Sequence, residues 1–284
     1  MIGFQTSPRR FHNTGNTCWL NSLLQCLLNV DKSVKFLSDT SDTSGELLSL
    51  LNKLKFETTS EEIDDDSISV CLENIGQYLH PYFIRGEQHD SQEVFLYIID
   101  ELIKYKDAVG ESRTGIYSMF HCQFSFKTTD NETRYEPILS HSLYFENNFK
   151  ESFENSFLNK QLTIVSPILT IHIINSKEIE TSIEKMDSFK ILESFHVSFS
   201  KDVAGALKDV AGTLKDDPGS SKEKLYVFNS CVFHMGGSSG GGHYISVVKL
   251  CDEYFMCDDT NVIKLINNDI FDKYVPVMLF YTSS

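Results

Sequence analysis

The hydrophobic pattern of the chain changes near residue 115, and this change limits the folds that are open to it. Apolar residues at helical spacing mark residues 17–30, 44–55, 67–80 and 88–105, with an acidic loop at 61–66. Short alternating or apolar runs typical of strands mark residues 122–126, 166–173, 224–233, 243–250, 253–257 and 275–281. A helical front half followed by a strand-rich back half predicts an α+β fold.

Charge and apolar content limit the classes of partner. The 284 residues carry 40 acidic and 25 basic side chains, which gives a formal net charge of -15. A nucleic-acid-binding chain normally shows a basic patch, so we expect no nucleic-acid partner. The strongest apolar runs, 164–174 and 275–281, are too short to cross a bilayer, so we expect no membrane association. An acidic chain can attract a basic partner, or its charge can simply maintain solubility.

The cysteines and the first residues indicate a compartment. Seven cysteines occur at irregular spacing, and an odd number does not fit a disulfide framework. Residues 1–18 contain no apolar stretch of the signal-peptide type. We therefore expect a soluble protein of a reducing compartment, the cytoplasm and/or the nucleus, where a free reactive thiol persists.

One segment differs from the rest of the chain. Residues 201–214 read KDVAGALKDVAGTL, a seven-residue repeat that is followed by KDDPGSSKEK. Two copies are too few for a repeat architecture, so we predict a short exposed helix or a flexible connector ending at 217–219. The segment is either a natural insertion or an engineered replacement for a longer loop, and both alternatives stay open.

Cys18 lies where a helix start favours a reactive thiol. The preceding residues 12–17 are rich in Asn, Thr and Gly, and Asn16 or Thr17 can cap the helix. In the first helical turn, the helix dipole and the free backbone N–H groups favour a thiolate. A nucleophilic thiolate also needs a base, a group that orients the base and donors for an oxyanion.

The best candidate base is His243. Residues 240–242 before it are all glycine, and a predicted strand follows it. Glycines let backbones approach closely and leave a cleft open. A lone histidine is more often a packing residue, but the presence of Cys18 favours a catalytic role for His243.

Three polar residues are candidates for the remaining roles. Asp258 and Asp259 end a predicted strand that returns beside His243, although their local composition also fits a surface turn. Asn13 lies five residues before Cys18. Its amide either donates to an oxyanion together with the backbone N–H of Cys18, or caps the loop, and the spacing does not separate these alternatives.

Five motifs occur in the order that one enzyme family shows, from residue 11 to about 281. FHNTGNTCWLNSLLQCL resembles the cysteine box of the ubiquitin-specific proteases, roughly GLxNxGNTCYxNSxLQxL. QHDSQEVFLYIIDEL is similar to that family's QQDAxEFLxxLLDxL, and SPILTIHI is similar to its LPxxLxIxL strand. YVFNSCVFHMGGSSGGGHYISVVK and YFMCDDTNV resemble its histidine box, YxLxxVxxHxGxxxxGHYxxxxK followed by WxxFDDxxV.

The resemblance implies a papain-like cysteine protease fold shaped like a hand, with a helical thumb, a β-rich palm and fingers. A single catalytic domain is expected over residues 1–284. The thumb is expected at about 11–110, the fingers and the start of the palm at about 111–200, a connector or insertion at 201–222, and the palm with the histidine box at 223–284. The fingers would grip ubiquitin, and its tail would run between thumb and palm.

The resemblance also implies roles for residues at the reaction centre. Cys18 would be the nucleophile, His243 the general base and Asp258 the carboxylate that orients it. Asn13 would serve the oxyanion, and Asp259 would be a supporting residue near the site.

Four further positions match the family's motifs. His234 would support the site without taking part in the chemistry, and Tyr244 would line the tail channel. Asp90 and Glu93 would contact the arginines of the modifier's tail, since carboxylate–guanidinium pairing is directional.

The chain departs from the family's pattern at several places. Many members bind zinc through two CxxC pairs in the fingers, but no pair of CxxC motifs occurs in this chain, so we expect no structural zinc site, no other metal and no cofactor. Tyr254 and Cys257 replace the usual tryptophan and phenylalanine before the aspartate pair, and His89 replaces a glutamine. These departures leave the choice of modifier open.

We therefore predict a deubiquitinase, a thiol-dependent hydrolase of isopeptide or peptide bonds at the C-terminal glycine of ubiquitin. Its expected partners are ubiquitin or ubiquitin-conjugated proteins. Two alternatives stay open: a protease for another ubiquitin-like modifier, and a non-catalytic ubiquitin-binding scaffold. A binding module has no need of Cys18, His243 and Asp258 together, which weighs against the scaffold.

Overall fold

A computed structural model describes residues 7–30, 46–59, 65–84, 86–108, 116–145, 149–157, 160–175, 191–200, 221–238, 241–267 and 269–283. The repeat predicted at 201–214 lies outside these residues. Within them, no helix combines the length and the apolar character that a membrane crossing requires.

The helices of the described residues fall mainly in the first part of the chain. Four longer ones are α1 Cys18–Asn29, α2 Glu46–Thr59, α3 Asp65–Leu79 and α4 Ser91–Ala108. Three shorter ones are α5 Ile116–Phe120, α6 Phe149–Ser156 and α7 Asp269–Lys273. Every side chain of α1 from residue 18 to residue 28 is buried, so α1 is the central helix of this part of the molecule.

The predicted helices are present, with starts that differ from the sequence pattern by one to three residues. α4 begins at Ser91 instead of residue 88, because Asp90 Oδ1 accepts the backbone N–H groups of Gln92 at 2.7 Å and Glu93 at 3.2 Å and so caps the helix. Asp65 and Asp66 lie in the first turn of α3 instead of an acidic loop. Negative charge is stabilised there by the helix dipole.

The strands of the described residues form one sheet. They are β1 Cys122–Lys127, β2 Thr133–Ile138, β3 His141–Phe145, β4 Lys160–Ile164, β5 Ile168–Asn175, β6 Ser194–Ser200, β7 Ser221–Ser238, β8 Gly241–Leu250, β9 Glu253–Asp258, β10 Asn261–Lys264 and β11 Pro276–Ser283. The main order is β10-β9-β8-β7-β6-β4-β1-β2, and β11 pairs with both β7 and β5. β3 pairs with β5 and β4 with β6 in parallel, whereas the other pairs are antiparallel. Each predicted strand overlaps one of these, although β5 begins two residues after the predicted start at 166 and β11 one residue after the predicted start at 275.

Two hydrophobic clusters stabilise the fold on opposite faces of β11. Met278 and Phe280 belong to the cluster that contains α1 to α4, and Leu279 and Tyr281 belong to a second cluster with the outer strands and α6. This alternation follows from the two-residue period of a strand. All four side chains are fully buried, and each such burial contributes about 1.5–3 kcal/mol to stability.

The hairpin of β8 and β9 positions one edge of the site. Its turn residues Cys251 and Asp252 have positive φ values of 51° and 62°, as a two-residue turn with the twist of a hairpin requires. In its register Ser246 lies opposite Cys257, so Asp258 comes beside Ile245, two residues after His243 in β8. α1 packs directly on β8, which brings the helix start to the same place.

Candidate active site

His243 and Asp258 are in direct contact. His243 Nε2 lies 2.6 Å from Asp258 Oδ1, and each side chain is about one-third exposed, at 37% and 33%. A carboxylate without a proton only accepts hydrogen bonds, so Nε2 carries the ring proton and donates a hydrogen bond to Asp258. The nitrogen left to accept a further proton is Nδ1. The predicted hairpin thus places the aspartate beside the histidine, and its orienting role stays a prediction.

Cys18 is the first residue of α1 and is only 2% exposed. Burial raises the pKa of its thiol, and the charge of Asp259 raises this pKa further. The backbone N–H of Tyr244 and those of Trp19 and Cys18 lower the pKa, but they do not outweigh burial. The N–H groups at the helix start favour the thiolate, as the sequence predicts, but burial has the larger effect and leaves the pKa of the thiol raised. Cys18 therefore needs a base.

Tyr244 immediately follows His243 in β8, so its N–H at the sulfur brings the thiol next to the histidine in the chain. No hydrogen bond joins Cys18 Sγ to the imidazole in the part of the chain that the structure describes. Catalytic hydrogen bonds are often long before substrate binds, so this geometry is compatible with proton transfer in a complex.

The side chain of Asn13 accepts hydrogen bonds within its own loop and donates one to Asp259. Its Oδ1 accepts the backbone N–H groups of Gly15 and Thr17, each at 3.1 Å, and the Thr17 hydroxyl at 3.3 Å. Its Nδ2 donates to Asp259 Oδ2 at 2.9 Å. The oxygen therefore fixes the loop while the amide donor points at the aspartate pair. Its role at the oxyanion stays a prediction.

The predicted cap of α1 differs from its actual geometry. Thr17 is the N-cap, but its side chain makes no capping hydrogen bond. Its hydroxyl accepts the backbone N–H of Thr14 at 3.1 Å and so turns back into the loop. The loop is therefore ordered by Asn13 and Thr17 together, ahead of Cys18.

Asp259 joins three segments of the chain. It has a left-handed φ of 49° in the turn after β9, and its carbonyl accepts the backbone N–H of Phe11 at 3.1 Å. Asn21 Nδ2 donates to Asp259 Oδ1 at 2.7 Å and lies 3.2 Å from the carbonyl of His12. Asn21 was missed by sequence reasoning. The signal was available: it is a polar residue one turn after Cys18 in a fully buried helix.

His234 and Tyr244 form a cross-strand pair between β7 and β8, with ring centroids 4.5 Å apart. Burial lowers the pKa of His234, and the nearby charge of Asp90 opposes this without reversing it. Burial also raises the pKa of Tyr244, as does Asp90, so both rings are neutral near pH 7. Asp90 and Glu93 are both exposed at the start of α4. The charge of Asp90 acts on the His234–Tyr244 pair.

A second residue missed by sequence reasoning is Gln88. Its Nε2 donates to the carbonyl of Gly242, and its Oε1 is buried without a hydrogen-bond partner. Gly242 itself has φ of 156°, and an added Cβ would lie 2.9 Å from the carbonyl oxygen of Met235 and closer still to the His234 ring. The backbone at Gly242, just before His243, is thus hydrogen-bonded to the segment before α4, and there is no room for a side chain at this position.

The side chains of His243, Asp258 and Asp259 offer ligand atoms within 4.8 Å of one another, a spacing that a metal ion can use. Asp259 already accepts hydrogen bonds from two asparagine amides, and Asp258 accepts one from His243. Because these oxygens are engaged, the cluster is better described as a hydrogen-bond network.

A cavity of about 480 Å³ lies elsewhere, between β1, β2, β3, β4 and α6. His141 lines it, is 5% exposed and stacks on Phe157 with centroids 4.9 Å apart. The Ser156 hydroxyl donates to the Phe153 carbonyl at 2.6 Å, so His141 Nε2 donates to Ser156 Oγ at 2.8 Å. None of the residues lining this cavity belongs to the group around Cys18.

Sequence comparison relates the chain to one family. The profile of the family described as "Ubiquitin carboxyl-terminal hydrolase" matches residues 9–281. Ubiquitin carboxyl-terminal hydrolase 1 of Arabidopsis thaliana is 37% identical over 99 residues, which make up 32% of this chain and 9% of that protein. The chain thus matches a small part of the length of this curated relative.

Solved structures show the same fold. A chain of the SAGA Ubp8/Sgf11/Sus1/Sgf73 DUB module bound to ubiquitin aldehyde matches with a TM-score of 0.72 and 17% identity, covering 97% of this chain and 69% of that one. The same module bound to monoubiquitin matches with a TM-score of 0.71 and 17% identity, covering 99% and 72%. The predicted α+β fold is confirmed.

Proposed function

The chain belongs to the ubiquitin carboxyl-terminal hydrolase family, and on that premise we propose that it is a deubiquitinase. It hydrolyses isopeptide or peptide bonds at the C-terminal glycine of ubiquitin, by a thiol-dependent mechanism. One observation carries this proposal: His243 is paired with Asp258 at 2.6 Å, and the buried thiol of Cys18 meets the N–H of the residue that follows His243.

The first step is proton transfer. Asp258 holds the Nε2–H of His243, so Nδ1 is free to take the proton of the Cys18 thiol. The thiolate then attacks the carbonyl carbon of the terminal glycine and forms a tetrahedral oxyanion. Since burial raises the pKa of the thiol, this transfer depends on the imidazole.

The second step breaks the bond to the amine. The backbone N–H of Cys18 and the side-chain amide of Asn13 donate to the oxyanion, which collapses to a thioester as the C–N bond breaks. The imidazolium of His243 gives its proton to the leaving amine. His243 then takes a proton from water, the resulting hydroxide attacks the thioester, and the carboxylic acid leaves as Cys18 regains its proton.

Substrate choice rests on the residues beside this centre. Asp90 and Glu93 present exposed carboxylates at the start of α4, and the charge of Asp90 acts on the His234–Tyr244 pair beside the thiol. Arginine guanidinium groups pair well with such carboxylates. A modifier tail with arginines before its terminal glycines, as in ubiquitin, is therefore the preferred substrate.

The test uses ubiquitin that carries a thiol-reactive group at its C-terminus. We expect the wild-type protein to form a covalent adduct at Cys18, read by intact and peptide mass spectrometry, and the Cys18→Ser variant to form none. An unmodified wild-type protein, or an adduct that persists in Cys18→Ser, would reject the proposal.

Turnover separates an enzyme from a scaffold. We expect the wild-type protein to release a fluorophore from the C-terminus of ubiquitin, and to do so faster than from ubiquitin-like modifiers without arginine in the tail. A non-catalytic scaffold would bind ubiquitin and release no fluorophore. We propose the cytoplasm and/or the nucleus as the location, since free thiols persist in a reducing compartment.

A further inference from the structure

Asn21 contacts both the loop that carries Asn13 and the turn after β9 that carries Asp259. Its amide donates to Asp259 Oδ1 at 2.7 Å and lies 3.2 Å from the carbonyl oxygen of His12, the residue before Asn13. Asn21 is 2% exposed and sits on α1, three residues after Cys18. Residues three apart lie on the same face of a helix, so the amide of Asn21 stands one turn from the nucleophile.

Asp259 passes this restraint to Asn13. Its second carboxylate oxygen, Oδ2, accepts from Asn13 Nδ2 at 2.9 Å. Asn13 Oδ1 is held by backbone N–H groups of the loop at 3.1 Å. The plane of the Asn13 amide is therefore fixed on both sides, and the second hydrogen of Nδ2 makes no hydrogen bond within the described residues.

We propose that Asn21 is a positioning residue, which sets the amide of Asn13 relative to the Cys18 sulfur through Asp259 and through the carbonyl of His12. This inference rests on the proposed function. Asn21 touches neither substrate nor reacting atoms in this role, and it acts by giving Asn13 a single orientation. An oxyanion donor contributes only when it is aimed at the place where the charge develops, so a small displacement of Asn13 lowers the rate.

Loss of the Asn21 amide has a defined local effect. Asp259 Oδ1 and the carbonyl of His12 both lose a donor, and the loop is then held to α1 by fewer hydrogen bonds. Both acceptors are only partly buried, so the loop can shift to pair them with water or another donor. The substrate's tail contacts are made by other residues and are expected to be unchanged.

A double-mutant cycle tests the proposal. With a ubiquitin–fluorophore substrate, Asn21→Leu is expected to lower kcat about tenfold while KM stays within about twofold, which is less than removal of the donor itself by Asn13→Ala. In the Asn13→Ala background, Asn21→Leu is expected to cause no further loss, because the two residues act through one group.

Three outcomes overturn the inference: an unchanged kcat in Asn21→Leu, a loss that is the same in both backgrounds, or a change confined to KM. Thermal unfolding is measured on each variant, and Asn21→Ser serves in the same cycle if the leucine variant fails to fold. Asn29→Leu is the matched control, since Asn29 Nδ2 donates to the carbonyl of Gln25 on the same helix, away from Asp259, and full activity is expected. An inactive wild-type protein would reject the proposed function instead, so the two failures are distinguishable.

Discussion

His234 and Tyr244 face each other across β7 and β8 with their ring centroids 4.5 Å apart, and Gly242 lies where a Cβ would enter the His234 ring. A side chain at position 242 would therefore displace β8 immediately before His243. The position of His243 therefore depends on the glycine at position 242 and on the imidazole of His234, to which we assign no catalytic role of its own.

Replacement of Gly242 by alanine tests this relationship. The new Cβ would lie 2.9 Å from the Met235 carbonyl oxygen and overlap His234, so β8 must shift at His243. We expect Gly242→Ala to lower kcat/KM on a ubiquitin–fluorophore substrate about a hundredfold, because a shift of about 1 Å at a catalytic group has effects of this size. Gly76→Ala is the control: no atom lies within 4 Å of the added Cβ in α3, and a gain of about 1 kcal/mol in stability with full activity is expected. Equal activity of the two variants would contradict the prediction.

Asp258 is expected to act through the tautomer of His243. Asp258→Asn replaces a charged acceptor 2.6 Å from Nε2 by a neutral amide, which no longer stabilises the imidazolium. We expect kcat to fall about a hundredfold or more, with KM little changed. Asp252→Asn changes an aspartate in the exposed β8–β9 turn and is expected to keep full activity. Comparable losses in both variants would indicate a general effect of charge on the hairpin.

The two carboxylates at the start of α4 are expected to affect substrate binding. Asp90→Asn keeps an oxygen that can cap the helix, and Glu93→Gln changes an exposed side chain, so neither should alter stability. We expect each variant to lower kcat/KM about tenfold, chiefly through KM, since hydrogen bonds between charged groups contribute about 1.5–3 kcal/mol. Raising the salt concentration should reduce the difference from the wild type. Asp100→Asn on the same helix is the control, and a loss there as large as in Asp90→Asn would refute a role in tail recognition.

His141 is expected to make stability depend on pH. Burial, with a smaller effect of the Lys160 charge, lowers the pKa of His141 to about 4, whereas an unfolded histidine titrates near 6.5. Between these pH values the unfolded chain binds a proton that the folded chain does not. The contribution of the neutral His141 to the free energy of unfolding is therefore fully present above pH 6.5 and is lost as pH falls towards 4. The loss is about 3 kcal/mol. Urea unfolding at pH 7 and pH 4.5 should show a smaller difference in His141→Phe than in the wild type, and an equal difference would contradict the prediction.

Local patterns predicted most of the fold and only part of the site. The four longer helices, six of the eleven strands in the described residues and the approach of Asp258 to His243 follow from periodicity and from one hairpin, because these signals lie within short stretches of chain. Periodicity did not predict the start of α4 at Ser91, because this start is set by the capping hydrogen bonds to Asp90. The division into thumb, fingers and palm, and the roles of individual site residues, stay predictions.

What sequence reasoning missed depends on contacts between distant parts of the chain. Asn21 and Asp259 are 238 residues apart, and Gln88 and Gly242 are 154 apart, so no local pattern pairs them. The raised pKa of the Cys18 thiol has the same origin: the helix start is visible in the sequence, but the desolvation comes from the sheet that packs over it.

The place of β11 has a consequence for the order in which the chain acquires its structure during synthesis. β11 lies late in the chain, yet it bonds to both β5 and β7 and supplies side chains to both hydrophobic clusters. Residues as far apart as His172 and Met278 must pair before either cluster is closed. The ribosome has therefore translated past residue 283 before the thiol of Cys18 reaches its final surroundings. A nascent chain that lacks β11 therefore carries the Cys18 thiol without its completed site, and competence for chemistry is gained only after β11 has been translated.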